Sequence, residues 1–159
     1  MSIQVGDRIP QATLSVMADN RPQAVPTTEY FGGRKVVLFA VPGAFTPTCS
    51  AKHLPGYIGL ADAIFEKGVD AIGCMAVNDV FVMDAWGKHA GSGRIDMLAD
   101  GNGEFTAALG LGLDATGFGM GHRSKRFALI ADQGRVTGLF VEAPGEFRVS
   151  AAEYVLARL

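Results

Sequence analysis

A cysteine at position 49 closes the segment PGAFTPTC, three residues after a threonine and two after a proline. Threonine is a favoured N-cap, and proline at the first helical position gives up only an N–H that the first turn leaves unpaired. The spacing predicts Thr46 as N-cap, Pro47 as the first helical residue and Cys49 as the third. A thiol there lies near free backbone N–H groups and the positive end of the helix dipole, which favours thiolate over thiol and so a nucleophilic sulfur. The competing reading of Cys49 is a small apolar filler in a buried turn. The other cysteine, Cys74, lies inside the apolar run DAIGCMAV, where a buried small residue is the simplest account. His53, His89 and His122 show no metal-ligand spacing, and the Gly-rich stretch 110–122 matches neither dinucleotide nor P-loop phosphate motifs. No metal and no cofactor are expected.

The elements that must hold Cys49 follow from apolar patterning. Residues 36–41, VVLFAV, form a short β-rich run bounded by GGRK and PG, the pattern of a central strand buried on both faces. Residues 47–67 carry Leu54, Tyr57, Ile58, Ala61, Ile64 and Phe65 at helical spacing, with Gly68 placed to stop the helix and Pro55 to bend it. Residues 70–77 read as a second strand, so that strand, helix and strand make the crossover unit of a parallel sheet. Further on, 80–89 predicts a helix, 95–99 a strand and 104–109 a short helix. The β-rich segments 127–131 and 135–141 flank DQG, a hairpin signal. Residues 150–159 predict a closing helix with Ser150 as N-cap and Glu153 three residues on, a capping-box pattern. The stretch 110–122 is expected as a loop leading into the basic cluster HRSKR. The chain therefore reads as α/β.

At 159 residues the chain has the length of a single domain, 1–159, and 48% hydrophobic with 19% charged residues is ordinary globular usage. A net charge of −2, with both signs scattered, offers no field for nucleic acid or anionic lipid. No apolar run approaches the ~20 residues needed to span a bilayer, and the first ten residues lack a secretory pattern. The expectation is a cytoplasmic protein with no nucleic-acid or membrane partner. Two cysteines without a C-x-x-C pair signal neither a disulfide framework nor a zinc site.

The segment VPGAFTPTCSAKHLPGYI resembles the active-site segment of the peroxiredoxins, in the type II or peroxiredoxin-5-like subgroup. VNDVFVMDAWGK, MLADGNGEFT and HRSKRFALI resemble that subgroup at corresponding places, so the likeness covers nearly the whole chain. It implies a thioredoxin-like fold, a central mixed β-sheet flanked by helices, in which Cys49 is the peroxidatic cysteine oxidised by a hydroperoxide to a sulfenic acid. It implies that Thr46 hydrogen-bonds at the reacting centre, that Pro42 shields the pocket, and that Arg126, aligned on RFALI, holds thiolate and peroxide. Without the likeness, Arg126 reads as one member of the solvated cluster Arg123, Lys125, Arg126. In the plant kind of this subgroup a second cysteine in the corresponding strand resolves the sulfenic acid, which makes Cys74 the candidate resolving residue. Cys74 sits three residues before the end of its strand, so at ~3.3 Å per residue it lies ~10 Å from the edge where Cys49 belongs, whereas a disulfide needs Cα atoms within ~7 Å. Reduction by glutaredoxin with glutathione, or by thioredoxin, is therefore expected, with Cys74 optional. The family also implies a homodimer, with Phe45, Phe81 and Phe118 as core or dimer-contact residues.

A free cysteine of pKa about 8.5 is roughly 3% ionised at neutral pH, so complete ionisation gains at most about thirtyfold. Nucleophilicity falls with basicity along a Brønsted slope of ~0.4–0.5, which takes most of that gain back. A large acceleration must come from aligning the O–O bond with sulfur and stabilising charge on the leaving oxygen. Two rivals to a peroxidase remain open at this point. A cysteine hydrolase would pair Cys49 with a histidine base, and a non-catalytic thioredoxin-like redox sensor would oxidise only as fast as a free thiol.

Overall fold

Strand β3 (Lys35–Ala40) is built from β-branched and aromatic residues that pack on both faces of a sheet, and Val36, Val37, Leu38, Phe39 and Ala40 have no exposed surface. A computed structural model describes residues 2–159, with β3 near the middle of a seven-stranded sheet. The crossover helix α2 (Leu54–Glu66) returns the chain to β4 (Ala71–Ala76), which pairs parallel with β3, Phe39 opposite Cys74. Helix α3 (Val80–Ala90) then leads to β5 (Ile95–Ala99), parallel to β4. The hairpin of β8 (Phe127–Asp132) and β9 (Arg135–Val141) adds to the other edge of β3 antiparallel. Its turn at Gln133 and Gly134 has φ of 52° and 78°, the doubly left-handed geometry that matches strand twist.

The mixed sheet flanked by helices is the expected α/β, thioredoxin-like arrangement. Odd-numbered residues of β3, with Cys74, Tyr57, Ile64 and Trp86, form one core, and even-numbered residues with Met75, Leu98, Phe105 and Leu129 form the other. Cys49 and Cys74 belong to the same core. No helix among the described residues is long and apolar enough to cross a membrane.

Several expectations need correction. The N-terminal hairpin, β1 (Thr13–Ala18) with β2 (Arg21–Pro26), pairs with β5 and was not foreseen, since its β2 is largely exposed and lacks an apolar run. After a single turn, α1 (Thr27–Tyr30), the chain enters β3. The short helix α4 (Glu104–Leu109) stands as expected, but the Gly-rich stretch contains β6 (Gly112–Asp114), which pairs with β7 (His122–Ser124). The irregularity expected at Pro55 is a π-helical turn over Cys49–His53, in which the Leu54 N–H bonds the Cys49 carbonyl. Proline has no N–H to continue the regular ladder, and the turn just before it widens. The final helix α5 (Ala152–Leu156) starts two residues late and has no capping box, because Ser150 gives its N–H and hydroxyl to Glu142 instead. Phe45, Phe81 and Phe118 are 49%, 63% and 85% exposed, so none is a core residue.

Candidate active site

The register between β3 and β8 decides what meets Cys49. Ala40 pairs with Phe127, so Arg126, one residue before β8, stands across from the loop that leaves β3. That loop holds Pro42 and runs into the helical turn carrying Cys49. Two residues 77 apart in sequence thereby come together: Arg126 Nη2 donates to Cys49 Sγ at 3.1 Å. The other terminal nitrogen, Nη1, lies 2.8 Å from Nδ1 of His53, which is wholly buried one turn past Cys49. Of the basic cluster, Arg123 goes elsewhere, bonding the carbonyls of Met120 and Val77.

Cys49 itself has no exposed surface. Its sequence neighbour Thr48 and its partner Arg126 line a cavity of about 440 Å³, together with Pro42, Leu113, Phe118 and Phe147. The loop over the sulfur is held by side chains. Thr46 does not cap the helix with its hydroxyl. Its carbonyl accepts from Ser50 N at 2.9 Å in the manner of an N-cap backbone, while the hydroxyl donates to the Gly43 carbonyl at 2.7 Å. A tight turn is thus tied back on itself. Phe45, within it, takes a φ of 64°, a left-handed conformation costly for a bulky residue and sustained only by such surroundings. Asn78 accepts the Ala44 N–H at 2.9 Å, and Trp86 donates its indole N–H to Ser50 Oγ at 3.0 Å.

Sequence reasoning singled out Pro42, Thr46, Cys49 and Arg126, and the structure gathers all four beyond the carboxyl end of the central strand β3. Cys74 stays in mid-strand, without exposed surface and paired to Phe39 and Met97. Burial pushes its thiol well above the ordinary value, and the nearby Cys49 adds to the rise. Both cysteines are free. Asn78 and Glu142 were missed. Asn78 could have been found from its place just past β4, since functional loops gather beyond the carboxyl ends of parallel strands. Glu142 follows β9 and gave no signal beyond being a charge after an apolar run. Its carboxylate accepts from Arg148 N, Ser150 N and Ser150 Oγ at 2.6–2.9 Å, and although burial opposes ionisation, those bonds hold its pKa below the usual carboxylate value. No group of three or more His, Cys, Asp or Glu residues able to hold a metal occurs among the described residues.

A sulfur faced by a guanidinium that also lines a cavity is placed to meet a small electrophile held by that guanidinium. Comparison with known proteins narrows the chemistry. A family model described as Redoxin matches residues 4–156. A rice protein named Peroxiredoxin-2E-2, chloroplastic, is 52% identical over 99% of this chain and 73% of its own length. Peroxiredoxin-2C of Arabidopsis thaliana is 50% identical over 99% of this chain and 98% of its own. Among solved structures, reduced Prx3 of Vibrio vulnificus in complex with hydrogen peroxide superposes with a TM-score of 0.95 at 56% identity, covering 98% of each chain. The rice name overturns the expectation of a cytoplasmic protein, which is withdrawn. Compartment is set by address segments that receptors read, and a packed domain carries no such information. The match over nearly all residues, at half identity or better, places the chain in the redoxin family as a peroxiredoxin, a thiol peroxidase of thioredoxin-like fold.

Proposed function

We propose that Cys49 is the peroxidatic nucleophile, with Thr46, Pro42 and Arg126 as the residues that serve it. The observation that carries this reading is the 3.1 Å approach of Arg126 Nη2 to Cys49 Sγ. The sulfur attacks one oxygen of a hydroperoxide, the O–O bond breaks, and the second oxygen leaves as water or an alcohol after taking a proton. Cys49 becomes a sulfenic acid. Arg126 stabilises negative charge on the leaving oxygen while fixing the attack line, Thr46 keeps the loop closed around the sulfur, and Pro42 walls the cavity against water. Hydrogen peroxide needs little of the cavity. Its apolar wall of Leu113, Phe118 and Phe147 suits the carbon chain of an organic hydroperoxide.

The sulfenic acid is returned to thiol by two external thiol equivalents, from glutathione with glutaredoxin or from thioredoxin. The first thiol condenses with it, releasing water, and the second breaks the mixed disulfide. Cys74 acts as resolving residue only if the Cys49 turn unwinds, because its own strand is bonded on both edges. The exposed Phe45, Phe81 and Phe118 suit a homodimer contact near the cavity. Rapid mixing of reduced protein with hydrogen peroxide tests the central assignment. The Cys49→Ser variant should show no sulfenic acid, and Cys74→Ser should oxidise at the rate of the parent chain. Oxidation of Cys49→Ser at an undiminished rate would remove the assignment.

A further inference from the structure

His53 is wholly buried, yet both of its ring nitrogens meet polar atoms. Nε2 lies 3.1 Å from the carbonyl oxygen of Ser150, which can only accept, so Nε2 carries the proton. Nδ1 is then a bare lone pair, the partner that Arg126 Nη1–H requires at 2.8 Å. Both contacts are satisfied by one neutral tautomer. Burial, and then the adjacent Arg126 cation, drive the imidazole down to a pKa of about 3, in keeping with a ring that stays neutral. The ring is clamped by Phe39, Tyr57 and Phe147, with centroids 4.9, 5.7 and 5.0 Å away. Its anchor is equally fixed. The Ser150 carbonyl also accepts the Tyr57 hydroxyl at 2.7 Å, and the Ser150 N–H and Oγ–H both donate to Glu142 Oε2.

A guanidinium is a rigid planar fork, so fixing the direction of one terminal nitrogen sets that of the other. With Nη1 committed to His53, Nη2 faces the Cys49 sulfur. Arg126 takes part in no carboxylate salt bridge among the described residues. A neutral acceptor orients the guanidinium and leaves its positive charge undiminished for sulfur and peroxide, which a carboxylate at the same place would neutralise. We propose that His53 is a positioning residue for peroxide reduction: its Nδ1 lone pair holds the Arg126 fork in the plane that aims Nη2 at Cys49 Sγ. The proposal rests on the role given to Arg126 above. Glu142 and Ser150 are the far end of the same brace.

Two substitutions separate orientation from packing. In His53→Gln the amide nitrogen still reaches the Ser150 carbonyl, while the acceptor toward Arg126 is lost. In His53→Asn the amide oxygen stands near the place of Nδ1 and the Ser150 link is lost instead. His53→Gln should slow the second-order reaction of reduced protein with hydrogen peroxide by about 10–100-fold, the effect of misaligning a group by about an ångström. His53→Asn should recover most of that rate even where it melts at a lower temperature. Rates that follow the melting temperatures of the two variants, or a His53→Gln protein as fast as the parent, overturn the proposal. Nitrogen-15 NMR of the unaltered protein gives a reading independent of any variant's folding: Nε2 should be protonated and Nδ1 bare, and the opposite tautomer also overturns it. Arg126→Lys keeps the two readings apart. If that variant turns over peroxide normally, the role of Arg126 itself falls. If it is crippled while His53→Gln is not, only the positioning role falls.

Discussion

Cys49 and Cys74 lie in the same apolar core, and neither has exposed surface. Measured by burial alone they are equivalent. They differ in what faces the sulfur: Cys49 has at 3.1 Å a nitrogen of the guanidinium that lines the cavity, whereas Cys74 is set in a strand hydrogen-bonded on both sides, between Phe39 and Met97. One sits where a helical turn is widened, the other in the middle of a strand paired in parallel on both sides. The difference teaches that burial alone does not distinguish the two thiols: the proposed role of Cys49 rests on a polar contact inside the apolar shell, and Cys74, without that contact, is pushed by burial toward its protonated form.

The contrast predicts unequal responses to mutation in the two regions. The largest belongs to Arg126→Lys, which keeps a cation but loses the planar pair of donors. The second-order rate with peroxide should fall about 10²–10³-fold, while thiolate absorbance in the ultraviolet changes little. A parallel loss of thiolate and rate would mean that the arginine serves only to ionise sulfur. Around Cys74 the same kind of change should cost stability instead. A Cβ on Gly73 would lie 2.8 Å from Leu98 Cδ1 and 2.9 Å from the Tyr30 hydroxyl, so Gly73→Ala should lose up to about 3 kcal/mol in denaturant melts. Its peroxide rate per folded molecule should stay at the parent value.

Acid should strike the Cys49 side first. His53 has an ordinary value near 6.5 in the unfolded chain and about 3 in the folded one, so below 6.5 the unfolded state binds the extra proton. The stability contributed by the neutral ring is complete above pH 6.5 and is lost as pH falls toward 3. Between pH 6.5 and pH 5 the loss should be about 2 kcal/mol at most, at ~1.4 kcal/mol per pH unit. Denaturant melts of the parent and His53→Gln should show the slope only in the parent. The smallest effect is expected for Cys74→Ala, about 1 kcal/mol from a lost sulfur contact, with no change in the first oxidation step. A slower first oxidation in Cys74→Ala would erase the contrast between the two cysteines.

Patterning along the chain was enough to locate β3, β4, β5, α2, α3, α4 and the β8–β9 hairpin, because each is announced within its own residues by apolar period, a turn or a stopping glycine. The start of a helix before Cys49 was equally local. What lay outside that reach depended on partners far along the chain. Ser150 looks like an N-cap, but Glu142 competes for its hydrogen bonds and wins once β9 brings the carboxylate close. Arg126 looks like one of three surface cations until the pairing of Ala40 with Phe127 turns it inward. His53 shows only helical spacing to Cys49, and nothing local says that its ring is walled by Phe39, Tyr57 and Phe147. Short-range propensity can place a thiol at a helix start. Sheet register and core packing are long-range, and they alone set which cation reaches that thiol and at what angle.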